Sequence, residues 1–357
     1  MTIFIFLFLI MLYFVERWSL DHAFNGIEFT YRCSKLLVEP EEPFEIESVI
    51  TNRQRRFVPF IKTEEFWPGE VTCLTEGVSL HTDFQGNKTH LSSVYLMPKS
   101  RLLRSVSATL PRRGRYIFKG ARLKGGDFLG INAESVTVNV FDEIIVYPKA
   151  VRSPEVLSVI GGFMGDISVR RFIIEDPVLT VGMREYTGRE PMKAISWPHS
   201  AKTGNLMVKQ FDYTVEPSVS VLLDVENDGD SEENAALIEY AFSLTRTVCQ
   251  SLEDKGMKYT FTTNATTADA FSRWSYLPEG NGARHFNTIL EGIGRASYRY
   301  VESFAQLAGK LQSKRDSNRS AIIITLKLDG EKNEIIKRFE KYGGGKAFVI
   351  SAQEQMI

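Results

Sequence analysis

Cysteine is scarce in this chain: Cys33, Cys73 and Cys249 are the three among 357 residues. They are far apart, odd in number and form no C-x-x-C, which argues against a disulfide framework and against a thiolate zinc site. Unpaired thiols fit a reducing compartment. Histidine is sparse too, and none of His22, His81, His90, His199 and His285 sits in a G-x-S-x-G or H-E-x-x-H setting. An excess of either charge is missing, since the formal net charge is −1. Nothing global therefore points to nucleic acid or to an acidic substrate. Neither glycine cluster makes a phosphate loop. Gly161-Gly162 and Gly165 read as a flexible loop with no G-K-[ST] after them, and Gly343-Gly344-Gly345-Lys346 leads into a strand rather than a helix.

Long apolar runs are also lacking. The longest near the start, Ile3 to Val15, would span roughly 20 Å as a helix against the ~30 Å of a hydrocarbon core. Arg17 and Trp18 follow it as interfacial anchors. No basic residue precedes the run and no small-x-small cleavage site follows it, which weighs against a secretory signal. The expectation is a single short membrane helix over residues 1–20, in the cell membrane, with the body of the chain cytoplasmic. A cleaved signal and a membrane-surface helix remain the alternatives.

What is present divides the rest. Residues 27–147 carry short runs rich in β-branched and aromatic residues: IEFTYRC, FEIESVITN, LSSVYLM, RLLRSVSATL, YIFKGARL, SVTVNVF and EIIVYPK. Gly, Pro, Asn and Asp punctuate them, and an antiparallel β-sandwich is the natural outcome. The basic cluster Arg112, Arg113 and Arg115 reads as a solvated hairpin turn. From Ser218 the pattern changes. SVSVLLDV is a near-continuous apolar strand, and Leu237, Tyr240, Ala241, Leu244 and Val248 recur at helical steps. Strand and helix then alternate to the end, which predicts a doubly wound α/β domain over residues 213–357.

Between these regions lies a connector, residues 148–212, whose stretch from Asp176 to Phe211 is the densest in chemistry. Arg184, Arg189, Lys193, Lys202 and Lys209 alternate with Glu185, Glu190, Tyr186, Trp197 and Phe211. Pro191 suits a first helical turn and Gly204 a helix stop, with a break expected at Pro198 and a strand after Gly204. The order Arg184-x-Tyr186, Glu190-Pro191, Lys193, Ile195-x-Trp197, Ser200-Ala201-Lys202, then Leu206, Met207 or Val208, and Lys209 resembles the signature of the bacterial family called domain of unknown function 58. The family has Gly before an Asp where this chain has Arg189 before Glu190. Asn52-Arg53, Pro111 to Tyr116 and Gly126 to Gly130 look like its landmarks in the sandwich.

The resemblance implies a von Willebrand factor type A-like domain at the C-terminal end, and association with MoxR-type AAA+ ATPases in the maturation or assembly of other proteins, among them membrane proteins. It also implies a metal site of Asp-x-Ser-x-Ser form after the first α/β strand. Here that site reads Asp224, Glu226 and Asp228, with Thr288 and Asp329 as loose candidates for the remaining ligands. Carboxylates suit a hard ion such as magnesium. The bland reading is a solvated acidic turn before a helix. Because Glu226 and Asp228 replace both Ser positions, the expectation is a metal site that is absent or altered, and no cofactor.

The leading expectation is a non-enzymatic, membrane-anchored interaction protein. The alternatives are a metal-dependent ligand-binding or adhesion module and a hydrolase without recognisable motif, for which a Cys73 pairing with His81 or His90 is the one conceivable nucleophile. The site residues for interaction are Arg184, Tyr186, Glu190, Lys193, Trp197, Ser200, Lys202 and Lys209. Either the segment locks the sandwich to the α/β domain around a buried Trp197, or it is an exposed partner-binding surface.

Overall fold

A computed structural model describes residues 6–7, 10–15, 17, 24–84, 86–126, 133–171, 180–188, 190, 192–211, 218–267, 275–313, 320–343 and 346–356. Contacts divide the chain into two compact units. One is Met1–Lys149 with Leu290–Ala296; the other is Ala150–Ile289 with Ser297–Ile357.

The first unit is a β-sandwich. Its strands are β1 (Ile27–Cys33), β2 (Leu37–Val38), β3 (Phe44–Asn52), β4 (Val58–Trp67), β5 (Thr72–Cys73), β6 (Ser79–Thr82), β7 (Lys88–Leu96), β8 (Arg101–Thr109), β9 (Gly114–Phe118), β10 (Ala121–Gly126), β11 (Ala133–Val138) and β12 (Asp142–Val146). They form sheets ordered β1-β3-β8-β5, β11-β10-β4-β7-β6 and β2-β12-β9. All these pairings are antiparallel except β2 with β12. Alternation along β3 turns Phe44, Ile46, Ser48, Ile50 and Asn52 inward. There Phe44, Ile46 and Ile50 share one core with Tyr31, Trp67 and Phe118 from the other strands. Strand β4 was not legible in the sequence. Pro59 interrupts it, and Glu65 breaks the apolar pattern by facing inward beside His90.

Asn52 is fully buried and holds a turn together. Its Nδ2 donates to the carbonyls of Arg56 (2.9 Å) and Met97 (3.0 Å), and its Oδ1 accepts from the Gln54 amide (3.0 Å). The arginine cluster is not a solvated turn. Arg113 Nη1 donates to the carbonyls of Ile293 (2.8 Å) and Ala296 (2.6 Å), and Arg115 Nε pairs with Glu143 (2.7 Å). Carbonyls at a helix end lack intrahelical partners, and a guanidinium supplies several donors at once.

The second unit begins with helix α1 (Pro154–Arg171), which runs through the glycines expected to form a loop. Val156, Ile160 and Phe163 are buried at helical spacing, so packing outweighs the helix penalty of Gly161, Gly162 and Gly165. Next come strand β13 (Thr180–Glu185), a 3-10 turn (Met192–Ala194), helix α2 (Trp197–Thr203) and strand β14 (Met207–Phe211). The remainder is β15 (Ser218–Leu223), α3 (Glu232–Asp254), β16 (Lys258–Thr263), β17 (Ala265–Thr267), β18 (Tyr276–Gly280), α4 (Ala283–Arg295), β19 (Ala296–Tyr300), α5 (Phe304–Ser313), β20 (Ser320–Thr325), α6 (Gly330–Gly343), β21 (Ala347–Ser351) and α7 (Ala352–Gln355). The main sheet is ordered β18-β16-β15-β20-β21. β15 pairs in parallel with β16 and β20, and β20 with β21, while the edge strand β18 is antiparallel. The central strands β15 and β20 are buried along nearly their whole length, as strands covered on both faces require.

Three expectations need correction. No described helix is long and apolar enough to cross a membrane, so neither the N-terminal membrane helix nor the localisation built on it is retained. The physical reason is the run's length, about two thirds of a hydrocarbon core. The fold class is corrected as well. Among the described residues the chain is predominantly β, with strands in six sheets, and the main sheet of the second unit is mixed rather than wholly parallel.

Two measurements follow. Cys33 and Cys249 are buried, and burial pushes both thiols well above their ordinary range, whereas Cys73 is partly exposed. A thiol reagent should therefore modify Cys73 in the native protein and reach Cys33 and Cys249 only after unfolding; mass spectrometry of the labelled peptides checks this. Asn52→Ala should lower unfolding free energy by about 2–3 kcal/mol in urea titration, because it strands two carbonyls and an amide.

Candidate functional site

Two sites carry the chemistry, both in the second unit. The first is built on the antiparallel ribbon of β13 and β14, in which Arg184 lies opposite Val208 and Glu185 opposite Met207. Glu190 closes the turn after β13. Its Oε1 accepts from Thr187 Oγ1 (2.7 Å) and Arg184 Nη1 (2.6 Å), and its Oε2 accepts from the Thr187 amide (3.0 Å). Gly188 supplies the left-handed backbone there, at φ 87°. The Thr187 hydroxyl, then Arg184, hold the Glu190 carboxyl down at about 2.

Ser200 ties α2 to the ribbon. Its Oγ accepts from the Met207 amide (2.8 Å) and donates to the Ser196 carbonyl (2.9 Å). Helix α2 stops at Gly204, in the left-handed conformation at φ 77°, whose amide bonds back to Ser200. Pro198 does not break this helix. It sits in the first turn, where its missing N–H is not needed. Ala194, Ile195, Ser196 and Val208 are buried beneath.

Trp197 points the other way and is 60% exposed, so the expected buried Trp197 anchor is not formed. Met192 and Leu206 are exposed beside it in sequence, as are Lys193, His199, Lys202 and Lys209. Tyr186 is half-buried, with its amide bonded to the Leu206 carbonyl (2.8 Å). Arg189 and Pro191 lie outside the described residues. The acids are engaged locally: Glu190 pairs with Arg184, and Glu185 Oε1 accepts from Asn205 Nδ2 (3.1 Å).

The second site lies at the carboxyl ends of β15, β16 and β20. Asp224 is fully buried. Its Oδ2 accepts from Lys332 Nζ (2.6 Å) and Thr325 Oγ1 (2.8 Å), and its Oδ1 from Asn264 Nδ2 (2.8 Å) and the Glu226 amide (3.0 Å). The other expected ligands are elsewhere. Glu226 Oε2 accepts from the Phe304 amide (2.8 Å), and Asp228 is exposed. Thr288 bonds within its own helix, and Asp329 Oδ1 caps the Lys332 amide (2.7 Å). Among the described residues no three acidic, histidine or cysteine side chains gather for a metal. The donors at Asp224 are an ammonium, a hydroxyl and amides, which do not fit a divalent cation. A cleft of about 270 Å³ opens beside Lys332, lined in part by Glu226, Asn227, Asp228, Phe304 and Asp329. Lys332, Thr325 and Asn264 were not anticipated, since nothing in their sequence surroundings marks them.

The remaining nucleophile candidate does not assemble. Cys73 lies in the sheet of β8 and its thiol contacts the Thr75 carbonyl (3.5 Å), whereas His81 and His90 lie in the other large sheet. His90 is buried, paired with Glu65 (3.2 Å) and stacked on Trp67.

No family model matches the chain. A curated relative, the uncharacterized protein YeaD of Bacillus subtilis (strain 168), is 22% identical over 287 residues, spanning 79% of this chain and 67% of that one. Among solved structures the chain is similar to a cohesin module from a Clostridium perfringens family 33 glycoside hydrolase. That match has 13% identity, covers 34% of this chain and 96% of that one, and has a TM-score of 0.25. A type II cohesin domain of Acetivibrio cellulolyticus matches at 8% identity, over 34% and 95%, with a TM-score of 0.26. A CARDB domain from Pyrococcus furiosus matches at 15% identity, over 34% and 90%, with a TM-score of 0.21. With the metal constellation dispersed and the main sheet mixed, the type A-like assignment is withdrawn.

The turn makes a pH prediction. A carboxylate whose folded pKa is depressed adds stability above its ordinary value of ~4.5, and that stability is lost as pH falls through the folded pKa. The Glu190 side-chain resonance should therefore titrate near 2, and Thr187→Val should move its midpoint upward toward the ordinary carboxylate value.

Proposed function

We propose that this chain is a non-enzymatic interaction protein whose partner surface is the ribbon and helix carrying Arg184, Lys193, Trp197, Lys202 and Lys209. The observation that supports this reading is the exposure of Trp197 on a rigidly supported short helix. Tryptophan is among the residues most enriched as anchors of protein interfaces, where its large apolar ring is buried on binding. Ser200, Glu190 and Gly204 already satisfy the local backbone, so Lys193, Trp197, Lys202 and Lys209 are not needed to hold the turn. Their mixture of lysines with apolar surface suits a partner segment that is both acidic and apolar. The signature's resemblance to the domain of unknown function 58 family names the class of partner, a MoxR-type AAA+ ATPase, and the process, maturation or assembly of other proteins.

The test compares full-length Trp197→Ala and Arg184→Ala with the parent. Exposed pairs contribute under about 1 kcal/mol, so both variants should melt within a few degrees of the parent. Crosslinking recovery of an AAA+ ATPase from native cells should succeed with the parent and fail with Trp197→Ala. A large fall in melting temperature for Trp197→Ala, of the kind that follows loss of a buried tryptophan, would instead make the segment a packing element.

A further inference from the structure

The buried pair Asp224–Lys332 lies outside the surface just described and has no part in it. A carboxylate offers about four acceptor positions, and Asp224 has four donors on it: Lys332, Thr325, Asn264 and the Glu226 amide. Lys332 Nζ also lies 3.1 Å from Thr325 Oγ1 and 5.6 Å from the centre of the Phe304 ring. The lysine is only 8% exposed, and the aspartate not at all. Its reach is set from the first turn of α6, where Asp329 caps the Lys332 amide.

A divalent ion at this position would need Asp224 oxygens that are already committed, and it would meet an ammonium charge at contact distance. An ammonium is a compact point charge on a flexible stem, well suited to fill such a place from within the chain. We infer that Lys332 is a tethered cation that occupies, against Asp224, the place a bound divalent ion would take, so that this edge of the sheet is ordered without metal. Glu226 and Asp228 are then free of ligand duty, as their separate positions require. The cleft beside Lys332 keeps its shape in the presence of a chelator.

Thermal melts of the full chain test this. For the parent, neither EDTA nor millimolar magnesium, manganese or calcium should move Tm by more than ~1 °C, because nothing binds the folded form selectively. Lys332→Ala leaves Asp224 buried and uncompensated, and Tm should fall by about 10 °C. Ethylammonium or magnesium should then recover part of that loss, while having no effect on the parent. The double variant Asp224→Asn/Lys332→Met removes both charges. It should melt much closer to the parent than Lys332→Met alone, and it should show no response to added cations. It decides the matter even if Lys332→Ala fails to accumulate. A parent stabilised several degrees by magnesium and destabilised by EDTA would overturn the inference. So would a Lys332→Ala variant that melts like the parent, or a double variant as damaged as the single one.

Discussion

A fully buried carboxylate is the constraint on which the second unit depends. β15 enters the centre of a sheet covered on both faces, and its apolar run leaves Asp224 no route to solvent. An isolated ionised carboxylate in such a place is unfavourable by far more than a domain's net stability. The answer is assembled from three other elements: Asn264 after β16, Thr325 at the end of β20, and Lys332 in α6. The same residues do further structural duty. Asn264 also donates to the Glu302 carbonyl (3.1 Å) and, through its own carbonyl, accepts the Val301 amide (2.9 Å). One charge thus sets where several loops at this edge must lie.

The signature segment works on a different principle. Its geometry is held by short-range bonds within a few residues, with Ser200 joining α2 to β14 and Glu190 closing the turn on Thr187 and Arg184. Local bonding of this kind leaves large side chains without a packing role, and Trp197 is presented outward on a frame that does not need it. That separation of frame from display is what suits a segment to recognition.

In the sandwich, by contrast, several polar side chains are drawn inward and bond backbone groups there. Asn52 bonds three backbone groups. The Tyr116 hydroxyl, with one proton to donate, lies 2.8 Å from Glu70 Oε2 and 3.0 Å from the Arg112 carbonyl, and burial together with Glu70 raises its pKa. The landmarks Asn52 and Tyr116 are therefore turn-builders rather than binding residues.

Periodicity alone determined much of this protein. Alternation marked β1, β3 and β8, and the apolar spacing of Leu237, Ala241, Leu244 and Val248 marked α3, because these patterns are properties of consecutive residues. It also placed Gly204 at a helix end. Local pattern misjudged α1, where buried Phe163 outweighs three glycines, and β4, where a buried Glu65 interrupts the alternation. The resemblance put a degenerate cation site at Asp224, Glu226 and Asp228, expected to be absent or altered, and so grouped Asp224 with the nearest acids in sequence. The true partners are Lys332, Thr325 and Asn264, 108, 101 and 40 residues away. Only the tertiary structure decided that, because charge neutralisation in a low-dielectric interior depends on distance in space, and residue spacing along the chain carries no record of which helix will swing its lysine over which strand.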